Sequence, residues 1–126
     1  MTQEEFKILV CEIGLSSVPE KFRNKIKNVV FVIEDEPSGR VRKEEGLKDN
    51  ETLLGLYHGI PHTERGDNYG IGMTLPDTIT LFQKPIENTG GDRKKIKHII
   101  KETIWHEVGH HFGLSDDEIE RLERKR

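Results

Sequence analysis

The stretch DRKKIKHIIKETIWHEVGHHFGLSD, residues 92–116, decides what the rest of the chain must be built around. Asp92 is a helix-capping residue, and Ile96, Ile99, Ile100, Ile104 and Val108 recur at spacings of three and four. That recurrence predicts one long helix over 92–112 with an apolar stripe, ended by Gly113. Its last turns hold His106-Glu107-Val108-Gly109-His110, an HExxH pattern. At about 100° per residue, positions i and i+4 share a face one turn apart, so both imidazoles can reach one ion. Glu107 flanks that ion as a general base for a water and does not ligate it.

Two histidines leave a zinc site short, because catalytic zinc takes about three protein ligands and a water. The run continues to Asp116, giving HExxHxxGxxD. Gly113 can adopt the left-handed conformation that turns the chain, and Asp116 can then fold back under the same ion. The expected ligands are therefore His106, His110 and Asp116; Asp117 stands one residue off that offset. Two imidazoles and a carboxylate suit zinc, about one per chain, and also iron(II) or other divalent ions.

Outward from this helix, TQEEFKILVCEI (2–13) places Phe6, Leu9, Val10 and Ile13 at helical spacing before Gly14. A short helix is expected from Pro19, with Ser17 as its cap and Phe22 and Ile26 facing in. NVVFVIED (28–35) is apolar on both faces and reads as a covered interior strand. Residues 37–49 read as a loop with a helical turn or two, and TLLGLYHGI (52–60) as a second strand. The sixteen residues 61–76 form a long irregular segment, unusual enough to suggest function. DTITLFQKPI (77–86) reads as a third strand, placed at the sheet edge by Pro85. The chain closes on a short helix in DDEIERLERKR, and the class is α+β.

Composition sets the outer bounds. The chain has 126 residues, 34% charged and 33% hydrophobic, with a net charge of −3. Thirteen isoleucines and no alanine can still pack one modest core, so a single domain over 1–126 is expected. The alanine-free, Ile-, Lys- and Glu-rich composition is compatible with a thermophile. A sequence pI near 6.1 argues against a nucleic-acid partner. The lone Cys11 excludes an internal disulfide and a cysteine-rich zinc cluster. No run of 18 apolar residues spans a membrane, and the acidic N-terminus is no secretory signal, so the cytoplasm is the expected compartment.

With its HExxHxxGxxD run, the sequence resembles the zincin superfamily, and more closely the small "minimal zincin-like" metallopeptidase family. LLGLYHGIPHTERG (53–66) also looks like that family's strand-and-loop segment. The resemblance implies a short, twisted mixed sheet of about three or four strands packed on the active-site helix, flanked by terminal helices. It also implies an edge strand that pairs with an extended substrate. Metzincins carry a Met-turn after a third ligand that is usually His; Asp116 stands here, with no Met among the ten residues after it. Gluzincins take a Glu from a later helix, and Glu118, Glu120 and Glu123 stand too close in sequence to HExxH for that.

The reading these residues favour is a zinc-dependent metallopeptidase, a hydrolase in which Glu107 is catalytic and the strand 77–83 holds a peptide or protein substrate. One alternative is a zincin-like hydrolase acting on RNA, against which Glu107 and the acidic pI both speak. Another is a zinc-stabilised, non-enzymatic adaptor or regulatory module, since small domains gain stability from a metal. His111 points to another side of the helix and is a packing or exposed residue. Trp105 and Phe112 cover the helix's other flank. His62, Arg65 and Tyr69, in the long loop with His58 before it, could supply a transition-state donor, but the plainer reading is an ordinary polar loop. Arg93, Lys94, Lys95, Lys97 and Lys101 form a solvated basic face.

Overall fold

A computed structural model describes residues 1–26, 28–59 and 76–124. The expected α+β class is what it shows: helices α1 (Gln3–Ile13), α2 (Glu20–Arg23), α3 (Gly39–Glu44), α4 (Gln83–Gly90), α5 (Arg93–His111) and α6 (Asp116–Arg124), with strands β1 (Val29–Glu34), β2 (Gly55–His58) and β3 (Asp77–Phe82). The long loop expected at 61–76 falls outside the described residues up to position 75, so His62, Arg65 and Tyr69 do too. No described helix is long and apolar enough to cross a membrane.

The sheet corrects the expected strand order. Its order is β1-β3-β2, with β1 parallel to β3 and β2 antiparallel to it. β3 is thus central, not an edge. Pro85 misled because it lies outside the strand: β3 stops at Phe82, and Pro85 is the third residue of α4. In a first helical turn the missing N–H removes no helical hydrogen bond. The eight residues 83–90, read as a strand end and a turn, are a helix. Conversely β1, apolar on both faces, lies at an edge, and Val30 is exposed there. Among the described residues it pairs with β3, in the parallel register Val29↔Asp77 to Glu34↔Phe82.

The core lies between sheet and helices. α1 buries Phe6, Leu9, Val10 and Ile13, and packs against α5 and β1. β3 contributes Ile79 and Leu81 from one face. α5 buries Ile96, Ile100, Ile104 and Val108, the expected stripe, while Ile99 is half-buried at its margin. Each such side chain stabilises by roughly 1.5–3 kcal/mol relative to exposure. Asp92 caps α5 as its sequence position implies, accepting from the Lys95 N–H at 2.9 Å. Trp105 and Phe112 pack on Phe22, at ring separations of 5.7 and 5.6 Å. Ser17 does not cap α2; its hydroxyl donates to the Lys101 carbonyl at 2.9 Å and ties the α1–α2 connection to α5.

Candidate metal centre

α5 ends as its sequence requires. Gly113 takes φ +83°, its N–H reaches the His110 carbonyl, and the Leu114 N–H reaches the Gly109 carbonyl. That pattern satisfies the last carbonyls of the helix and turns the chain back. α6 then starts on a reciprocal pair: the Ser115 hydroxyl accepts from the Glu118 N–H, and the Glu118 carboxylate from the Ser115 N–H. These bonds hold the exposed Glu118 carboxyl below its ordinary pKa. α6 docks through Ile119, which is fully buried over Gly109; a Cβ on Gly109 would stand 2.6 Å from Ile119 Cδ1.

The turn brings Asp116 back to the histidines. Its Oδ1 lies 2.7 Å from His110 Nε2, a hydrogen-bond distance. His106 and His110 are edge-on to one another, with ring centroids 6.3 Å apart. His106 turns to a different carboxylate: its Nε2 faces Glu123 Oε1 at 3.4 Å. So α5 and α6 form two imidazole–carboxylate pairs. Among the described residues no three of His, Cys, Asp or Glu converge on one point. In donor type, imidazole nitrogens and carboxylate oxygens, these residues are nonetheless of the kind that suits a divalent cation.

Glu107 points to the sheet. The Tyr57 N–H donates to its Oε1 at 3.1 Å, fixing one carboxylate oxygen against β2. Burial pushes the carboxyl above the ordinary glutamate value, opposed by that hydrogen bond and by His110, reinforced by the charge of Glu45, and opposed again by His106. The Tyr57 hydroxyl donates to the buried Asp77 at 2.5 Å, and its ring stacks on His111 at 4.0 Å. His111 is thus a packing residue, as its side of the helix implied. Beside these groups a cleft of about 360 Å³ opens between β2 and α5, lined by Leu53, Leu54, Gly55, His106, Glu107 and His110 among others.

Among the described residues, the sheet edge beside that cleft belongs to β2. β3 is paired on both sides, so the strand 77–83 has no side left for a peptide, and that expectation is corrected. The Leu54 carbonyl accepts from the Phe82 N–H at 2.9 Å. By the alternation of an antiparallel ladder, Gly55 and Tyr57 turn their backbone groups away from β3.

Residues 26–126 match the family described as zincin-like metallopeptidase. The chain belongs to the zincin-like metallopeptidase family. Its fold is also that of a conserved hypothetical protein from Thermo thermophilus, at a TM-score of 0.54 and 23% identity, covering 99% of this chain and 100% of that one. No curated protein matches. Membership in that family gives the chain a metallopeptidase-type fold.

Sequence reasoning missed two features of this centre. Tyr57 and Asp77 meet across a strand register that no local pattern encodes. Glu123 was set aside with Glu118 and Glu120 as too close in sequence to HExxH, yet α6 folds back and brings it to His106.

Proposed function

We propose that the chain is a zinc-dependent peptidase, with His106, His110 and Asp116 as the metal ligands and Glu107 as the general base. The observation that carries this reading is the position of Glu107. Its carboxylate lies in the cleft between the HExxH imidazoles and the outer edge of β2, held by a backbone N–H and partly desolvated.

Zinc held there supplies a Lewis acid for the peptide carbonyl and acidifies a water. Glu107 takes a proton from the attacking water and returns it to the departing nitrogen as the C–N bond breaks. The Tyr57 N–H keeps the carboxylate aimed through both transfers. A peptide lies extended along β2, where the outward backbone groups of Gly55 and the Tyr57 carbonyl offer pairing, the Tyr57 N–H being taken by Glu107, and Leu53 and Leu54 offer apolar contact. The substrate is a peptide or protein; the acidic balance of the chain disfavours nucleic acid.

Metal analysis and a broad peptide-library digest test the reading. The wild type should carry about one zinc per chain and cleave peptides, and Glu107→Gln should keep the zinc and lose cleavage. A wild type that takes up no zinc at saturating metal overturns it, as does a Glu107→Gln variant with full activity.

A further inference from the structure

Glu107 is the middle member of a stripe that α5 turns to β2. Thr103, Glu107 and His111 follow one another at intervals of four, so they line one side of the helix a turn apart. Each meets the β2 segment at a different point. Thr103 fits against Gly55, where a Cβ would stand 2.6 Å from its Cγ2, so strand and helix are in close contact there. Glu107 accepts from the Tyr57 N–H at 3.1 Å. His111 lies flat on the Tyr57 ring, the planes 16° apart. On its far side a Cβ on Gly59 would stand 2.8 Å from His111 Cε1. Glu107 is thus bracketed by two packed contacts that together set how far β2 stands from α5.

Tyr57 is itself held from the sheet. It pairs with Ile79, so Asp77, two residues before Ile79, lies diagonally across from it on the same face. The buried Asp77 carboxylate accepts from the Tyr57 hydroxyl. The ring is therefore fixed at its tip by β3 and on its face by α5. β2 ends at His58, the next residue, so these side-chain contacts secure the strand where its ladder runs out. The hydrogen bond that orients Glu107 comes from the backbone of this same residue.

We propose, resting on the peptidase reading of the site, that His111 and Asp77 are positioning residues for Glu107. They hold the Tyr57 side chain, and through it the N–H that aims the carboxylate. Neither touches the substrate or takes a proton in the reaction. His111 acts through the flat face of its ring, so another aromatic ring can replace it. Asp77 acts by accepting the tyrosine hydroxyl, so removing that hydroxyl removes its effect.

The test uses the full chain and two readouts. In chelator-treated protein, the proton chemical shift of the Tyr57 amide reports its bond to Glu107. Glu107→Ala, which removes the acceptor, gives the value of the freed amide. His111→Ala and Tyr57→Phe should each move the amide towards that value. In zinc-loaded protein, each should lower kcat on a cleaved library peptide by about 10-fold or more, as misplacing a reacting group does. KM and zinc affinity should not change. His111→Phe, which keeps a flat ring, should match the wild type in both readouts. If either readout keeps its wild-type value in His111→Ala or Tyr57→Phe, the proposal is overturned, whatever the melting temperature does. A His111→Phe variant as impaired as His111→Ala also overturns it, because the imidazole then acts as a chemical group and not as a stacked face. A wild type that cleaves nothing is a different result: it overturns the peptidase reading itself, and the positioning role with it, whatever the amide shows.

Discussion

Glu107 is asked to do two opposed things: to be charged as a base, and to sit where charge is disfavoured. Burial raises its pKa above 4.5, the ordinary value, and the Tyr57 N–H and the histidines only partly offset this. The consequence for stability has a definite sign. Because the folded-state pKa is raised, the native chain holds this proton to higher pH than the unfolded chain. Stability is therefore lost as pH climbs from 4.5 through the folded pKa, and the loss persists above it. Glutamine keeps an oxygen for the Tyr57 N–H and carries no charge. In chelator-treated protein, the melting temperature of Glu107→Gln minus that of wild type should increase between about pH 4 and pH 7. A difference that does not change with pH would refute the desolvation argument. The candidate ligands were legible at this scale because each is a fixed offset on a single helix and its turn. The Tyr57–Glu107 bond was not, since it spans fifty residues and depends on how a strand meets a helix.

At the scale of elements, the contact that matters is α6 on α5. Glycine costs a helix interior about 1 kcal/mol relative to alanine, yet Gly109 stands inside the HExxH turn. The reason is Ile119, whose side chain occupies the space a Cβ would need. Ile119→Ala should destabilise the protein by about 2–5 kcal/mol in chemical denaturation, as a buried cavity-forming change does. Gly109→Ala should be unfavourable in the wild type, where the end of Ile119 must shift. In the Ile119→Ala background it should become neutral or stabilising, because the clash is gone and the helix propensity gain remains. A cycle with no coupling between the two substitutions would show that α6 docks some other way. The sequence made α5 readable through its periodicity and its cap. It did not make the lateral order of strands readable: apolar runs report burial, and β1 and β3 are both rich in apolar residues. The one positional clue, Pro85, belonged to α4 and not to a strand.

At the scale of the whole molecule, α5 serves two structures at once. One side buries Ile96, Ile100, Ile104 and Val108 in the core, and the other carries His106, Glu107 and His110 along the cleft. The α+β class followed from that helix and the strand runs before it. A metal held between α5 and α6 would therefore bear unequally on the molecule. Ligand at about 100 times its dissociation constant stabilises the native state by about 2.7 kcal/mol. For a chain of this size that is a rise in melting temperature on the order of 10 °C. The stabilisation should be seen locally as well. Hydrogen exchange with and without zinc should slow most across α6 and the last turns of α5, which the metal would join. α1 and β1 reach the centre only through the core, so their amides should slow only as far as global unfolding limits them. Uniform protection would mean that the metal acts on global stability alone. Protection concentrated at 93–100, the start of α5, would place the cation away from the HExxH turn. Selective protection of 106–124 with chelator-reversible melting is the expected result, because the carboxylates of α6 are the described groups that meet both histidines from outside α5.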